Sequence, residues 1–573
     1  MDRLFGRFLV MVCLLCLLSR ASQAQGEEDD VIVDAGVLGR IRGTRAVTAH
    51  EFGVTREYIQ FRGIPYGTIP ERFLPSRLYE EPLTEGGDIF NATSAGLSCF
   101  QPILYPFMMT EDCLTINIYT HKKFTGNERE LRPVLFFVHG GAFTVGSGAS
   151  FSGLRMMNRD VVYVTFNYRL GLNGFFSLQN ENIPGNAGMY DVVNALKWVN
   201  KYIKQFGGDP TLVTIAGQSA GSVTVTQLMA SPMAQGLFHR AIGASGSALN
   251  AWGTTTDPIP DAIKVAQIAG CYDNNSAPNL DLIAFCMRNV EPMTLVNALY
   301  EFQVSERQQG RLGFAVVSPV VQSFTMNAYT KFLPEHPRQV FEQGRESQVP
   351  LLMGSTKHDG SYVMGVFYNR FLKDNGLEGD EDFIRNELTT RILDSLGVDD
   401  ISTAVHDAIS LQYMQEARKS GNFSTMFPGL IDIFSVFFFK GDCYQTALLH
   451  SKNASSPTFW YSFDFKGHAS LFASLFPSEV PPFPGGVTHT DDLIYLYSLT
   501  FSEFTPIEAE VSRRMLSYWA NFAETGDPTP GSETKWPRLN DTNHGYMILD
   551  EVAFADNNYH AKWVGPGNEL VAP

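Results

Sequence analysis

A short apolar run that ends in Gly217-Gln-Ser-Ala-Gly221 constrains this chain more than any other feature. Thr211-Leu-Val-Thr-Ile-Ala216 reads as a strand buried on both faces, and Ser222-Val-Thr-Val-Thr-Gln-Leu-Met229 can continue as a helix. Two elements that meet without a linker need a sharp turn. The residues flanking the serine must then be small, so that the strained backbone can lift the Ser219 hydroxyl clear of the sheet. The pattern alone arises by accident in a chain of 573 residues. The surrounding sequence has to decide what it means.

Other runs extend the same rhythm. Pro133-Val-Leu-Phe-Phe-Val138 leads into Gly140-Gly141, and Val161-Val-Tyr-Val-Thr-Phe166 follows; both suit strands covered on two faces. In Tyr190–Phe206, Val192, Leu196, Val199, Ile203 and Phe206 recur every three or four residues, which predicts a helix ended by Gly207-Gly-Asp-Pro210. Later strands are expected at Val349–Met353 and Thr458–Phe463. The alternation predicts an α/β fold with a large mixed, mostly parallel sheet, helices on both faces and helical insertions. Residues 225–345 and 365–450 lack strand rhythm and are expected to be mostly helical. With no repeat, low-complexity tract or linker, residues 25–573 read as one domain.

The first 24 residues have a different character. Arg3 and Arg7 precede an apolar stretch from Phe8 to Leu18, and Ser22 and Ala24 are the small pair a signal peptidase accepts. The stretch is too short to span a bilayer comfortably, so residues 1–24 read as a signal peptide and the protein as secreted and extracellular. No second apolar stretch of spanning length is expected, and Pro566–Pro573 resembles neither a lipid-anchor tail nor an ER-retention signal. Sequons at Asn91, Asn274, Asn422, Asn453 and Asn540 suit glycosylation on that route. Of seven cysteines, Cys13 and Cys16 leave with the leader. Cys99 with Cys113 and Cys271 with Cys286 form local pairs whose disulfides would each stabilise by roughly 3 kcal/mol. Cys443, among apolar neighbours, is expected to be a buried, inert thiol. No Cys/His spacing suggests a metal site, and no cofactor is expected. A net charge of −17 argues against nucleic acid or anionic membrane as a partner.

A serine hydroxyl needs a base to attack, and the base needs a partner that holds its tautomer. Two loops downstream of Ser219 could bring the base. One is Gly485-Gly-Val-Thr-His489, and the other, just past an expected strand, is Gly354-Ser-Thr-Lys-His358-Asp359. His139-Gly-Gly-Ala-Phe143 also ends an expected strand, and its small residues would let backbone N–H groups face a substrate oxygen.

Taken together, Glu111-Asp-Cys-Leu-Thr-Ile-Asn-Ile-Tyr119, His139–Phe143, Asn167-Tyr-Arg-Leu-Gly171, Gly185-Asn-Ala-Gly188 with Asp191, Phe206–Pro210 and Gly217–Gly221 resemble the ordered signatures of type-B carboxylesterases. That is the cholinesterase-like branch of the α/β-hydrolases, insect-type carboxylesterases included. Asp359-Gly-Ser-Tyr362, Gly486-Val-Thr-His489 and Trp519–Pro528 extend the likeness over nearly the whole mature chain. The resemblance implies hydrolysis of uncharged carboxylic esters through an acyl-enzyme. Ser219 would be the nucleophile, His489 the base and then acid, and Asp359 the orienting acid. Gly141, Ala142 and Ala220 would supply the oxyanion hole. The resemblance also matches both disulfides and pairs Arg72 with Glu111 and Arg169 with Asp191.

Departures narrow the substrate. Most relatives carry Glu at Asp359, and Ala142 replaces a third glycine. Between Cys99 and Cys113 there is no tryptophan, only Phe100, Tyr105 and Phe107, so a cage for quaternary ammonium is not expected. Gln218 resembles juvenile-hormone esterases, yet Asp191-Val192 and Asp359 do not. The rival reading is a non-catalytic cholinesterase-like adhesion or signalling protein. Such proteins typically lose the serine or histidine and carry a membrane-spanning tail, and this sequence shows neither change. The oligomeric state is not legible.

Overall fold

A 13-stranded sheet runs through the computed structural model, which describes residues 30–570 except 103, 122–130, 399–401, 500–502 and 532–533. The leader expected over residues 1–24 lies outside the described residues. One edge of the sheet is antiparallel: Asp30–Asp34, Arg40–Val47, Glu57–Pro65 and Thr115–Thr120 pair in that order. Val162–Phe166 then begins a parallel centre. It continues through Arg132–Val138, Gly208–Gln218, Arg240–Ala244, Leu351–Thr356, Thr458–Phe463 and Tyr546–Leu549, and antiparallel Phe554–Asp556 closes it. All five runs read as buried strands are strands. The fold is α/β with a mixed, mostly parallel sheet.

Side chains alternate between two cores, as a period of two requires. From Arg132–Val138, Val134, Phe136 and Val138 enter one core, while Leu135 and Phe137 enter the other. Helix Ala187–Tyr202 packs Val192, Leu196, Trp198 and Val199 into the first. Ile203 and Phe206 follow in a 3-10 turn that stops at Gly207, whose φ of 90° suits glycine. Helix Pro506–Thr525 packs Trp519 and Phe522 into the second core, and a reciprocal Thr505–Glu508 capping box fixes its start.

Two expectations fail. Arg240–Ala244, inside the stretch read as helical, is a central strand between Gly208–Gln218 and Leu351–Thr356. Arg-Ala-Ile-Gly-Ala has a single β-branched residue, Ile242, among small ones, too little to announce a strand. Its small residues answer to the helix Ala220–Ala230 above it: a Cβ on Gly243 would lie 2.7 Å from Ser222 Oγ. The second failure is Phe423–Asn453, a 31-residue helical run apolar and long enough to cross a membrane. It is apolar because it is core, with 83% of its most apolar window buried inside the fold.

Both expected disulfides are present, Cys99–Cys113 at 2.01 Å and Cys271–Cys286 at 2.06 Å. Cys443 is unpaired and fully buried, and burial holds its thiol well above the usual range, which leaves it unreactive. Asn91, Asn274, Asn422 and Asn453 are exposed and Asn540 is half-buried. Asn453 differs from the others, since its Nδ2, the atom a glycan would use, donates to the Phe341 carbonyl at 2.8 Å.

Candidate active site

The turn after Gly208–Gln218 is held by close backbone contacts. Ser219 has φ 57° and ψ −126°, a conformation a non-glycine residue adopts only under constraint. Its N–H donates to the Ala244 carbonyl at 2.8 Å, and its own carbonyl accepts from Val223 N–H at 2.9 Å. Both flanking glycines are needed for approach. A Cβ on Gly217 would lie 2.3 Å from the Gly221 carbonyl oxygen, and one on Gly221 would lie 2.1 Å from that of Val138. The start of the helix is thus wedged against the end of the neighbouring strand.

The His139 loop leaves that same strand end. A Cβ on Gly140 would come within 2.6 Å of the Gln218 carbonyl oxygen and 3.1 Å of Ser219 Cβ, so the loop packs directly on the turn. Gly141 and Ala142 have φ of 110° and 54°. The Gly141 carbonyl accepts from the N–H groups of Thr144 and Val145, which folds the loop back. The Gly141 and Ala142 N–H groups donate to no described group, so two free donors lie on the loop packed against Ser219. Ala220 opens the first turn of the helix beside them.

His489 arrives on the loop that follows Thr458–Phe463. Its Nδ1 lies 2.7 Å from Asp359 Oδ1, and both residues are buried. A carboxylate at that distance accepts the Nδ1 proton and leaves Nε2 as an acceptor. The Gln218 side-chain amide donates to that Nε2 at 3.2 Å. Among the described residues the Ser219 hydroxyl has no hydrogen-bond partner, so the amide holds the imidazole in place of the serine. Phe439 and Tyr362 stack on the ring at centroid distances of 4.4 Å and 5.9 Å.

His358, the other histidine the sequence offered, does different work. Its Nδ1 accepts from Val487 N–H at 3.0 Å, and its Nε2 donates to the Pro566 carbonyl at 2.6 Å. Its backbone N–H donates to the Val487 carbonyl at 2.9 Å. Burial pushes its pKa down to about 3, so the ring is a neutral strut between the Asp359 loop, the His489 loop and the C-terminal segment. That segment is clamped from the far side by Asp432, whose carboxylate accepts from Gly565 and Gly567 N–H at 2.9 and 2.7 Å. Burial raises Asp432 to about 6. Asp491, raised to about 7 by burial, accepts from Leu471 and Thr488 N–H at 2.7 and 3.0 Å and pins the His489 loop from below.

Sequence reading missed this framework. Asp432 and the glycines near 566 match no motif, and nothing in the sequence around Phe439 marks it as a partner of His489. The implied ion pairs are present: Arg72 Nε to Glu111 Oε1 at 2.6 Å, and Arg169 Nη2 to Asp191 Oδ1 at 2.7 Å. These arginines border a cavity of about 480 Å³ with Phe100 and Asn173, and its lining includes none of Ser219, Asp359 and His489.

Comparison with known proteins agrees with the motifs. The model of the carboxylesterase family matches residues 29–564. A juvenile hormone esterase of Tribolium castaneum is 30% identical over 530 residues, 87% of this chain and 84% of the relative. A carboxylic ester hydrolase of Bombus ignitus is 30% identical over 525 residues, covering 89% of this chain and 88% of its own length. Carboxylesterase 3 of Homo sapiens is 28% identical over 591 residues, 98% of this chain and 94% of the relative.

Proposed function

The chain belongs to the carboxylesterase family and is a carboxylic ester hydrolase; from that premise we propose that it works through an acyl-enzyme on Ser219. As Ser219 Oγ attacks the ester carbonyl, His489 Nε2, released by Gln218, takes the hydroxyl proton. Asp359 stabilises the imidazolium that results. The oxygen that gains charge meets the N–H groups of Gly141, Ala142 and Ala220. His489 then returns its proton to the departing alcohol, and water repeats the sequence to free the acid.

The observation that carries this reading is the buried 2.7 Å contact from Asp359 to His489, next to a serine held at φ 57°. An aspartate one methylene shorter than the usual glutamate still reaches the imidazole. The test is Ser219→Ala in purified protein with an aryl or naphthyl ester. Turnover should fall about 10⁴-fold or more while the melting temperature holds, and wild-type turnover in the variant would sink the reading.

The two disulfides and the exposed Asn91, Asn274 and Asn422 support secretion of a single glycosylated domain, because both modifications belong to the oxidising export route. A second reading, a juvenile-hormone-esterase-like enzyme, draws on Gln218 at His489 and on the Tribolium relative. Juvenile hormone as a direct substrate tests it.

A further inference from the structure

Helix Pro292–Gln308 carries Arg307 in its last turn, where a chain of aromatic rings links it to His489. Its guanidinium carbon lies 6.0 Å from the Phe314 ring centroid. Phe314 is 5.8 Å from Phe438, and Phe438 is 4.7 Å from Phe439, which stacks on His489. Tyr362, also stacked on His489, has its hydroxyl in the field of Arg307, which offsets part of the upward push of burial on the phenol.

The guanidinium is half-buried and poorly satisfied. Nε donates to the Leu312 carbonyl at 3.2 Å, but among the described residues neither Nη has a hydrogen-bond partner and no carboxylate pairs with it. The adjacent Glu306 turns to Arg311 and Lys264 instead. Burial and the like charge of Arg370 both disfavour the charged form, and among the described residues Arg370 itself pairs only with Asp374, at 3.7 Å. An arginine stays charged regardless, so an unpaired positive charge persists here in a chain of net charge −17. Two free, parallel N–H pairs on such a group match one chemistry above others, a carboxylate taken bidentately.

We propose that Arg307 selects esters bearing a carboxylate several bonds from the scissile carbonyl, with Phe314, Phe438 and Tyr362 walling the chain between them. This rests on the ester-hydrolase reading of Ser219 and departs from the uncharged substrates the sequence suggested. The preference is measurable with a matched pair, mono-4-nitrophenyl adipate and its methyl-capped diester, as the ratio of their kcat/KM values. Arg307→Gln should lower that ratio about tenfold, the scale of a lost charged hydrogen bond, and Arg307→Lys should restore part of it. In the wild type, which needs no variant to fold, the ratio should fall as salt is added. A ratio that neither Arg307→Gln nor salt alters, with the capped ester still hydrolysed, overturns the role of Arg307 alone. Failure of the wild type to hydrolyse either ester would instead strike the Ser219 reading beneath it.

Discussion

Ser219 and His489 lie in regions built in different ways. Around Ser219 the contacts are backbone on backbone: glycines 140, 217 and 221 have no room for a Cβ, and the strand, turn and helix are consecutive in the chain. Around His489 the contacts are polar side chains from distant segments. Asp359, Asp432, Asp491 and the ring of His358 tie together loops near 358, 488 and 566. One region is fixed by steric exclusion, the other by buried side-chain hydrogen bonds. The first should fail abruptly when a single atom is added. The second should fail in steps, and it should respond to pH.

Gly221→Ala is the sharpest way to break the contrast. Its new Cβ meets the Val138 carbonyl, so we expect about 3 kcal/mol of lost stability and at least about a hundredfold lower turnover. A variant that unfolds like wild type in denaturant and keeps its activity would show that the wedge is soft. His358→Ala comes next. Leaving Val487 N–H and the Pro566 carbonyl unpaired should cost about 2 kcal/mol and lower kcat about tenfold with little change in KM. An unaltered kcat would mean that His489 does not depend on the strut.

The smallest effect separates the regions by pH. Asp432 titrates near 6 in the fold against about 4 in an unfolded chain, so the folded state binds its proton more tightly. Its stabilising contribution is full below about pH 4 and is lost as pH rises through 6. Asp432→Asn should therefore gain on wild type in melting temperature between pH 4 and 7, and a constant gap would rule out the linkage.

What could be read from sequence follows the same division. The turn at Ser219 was legible because its cause is local: an apolar run, small residues and a helix in immediate succession. Choosing between His358 and His489 was not a local matter. Both sit in glycine-bearing loops, and only their tertiary partners separate them; the family resemblance supplied that choice in advance of the geometry. Arg240–Ala244 escaped because a strand under a close-packed helix needs small residues, which erase the β signal. The link from Asp432 to Gly567 spans 135 positions with no motif at either end.

The helical run Phe423–Asn453 has a consequence for how the protein is made. On a secretory route it meets the translocation channel before a sheet exists to cover it, and the channel sorts segments by apolarity alone. Asp432, Lys440 and Asp442 interrupt the run, and each would oppose residence at the centre of a bilayer by about 3 kcal/mol. On that proposed route the carboxylate that clamps Gly565 and Gly567 in the finished molecule would also mark the segment as one to be released into water.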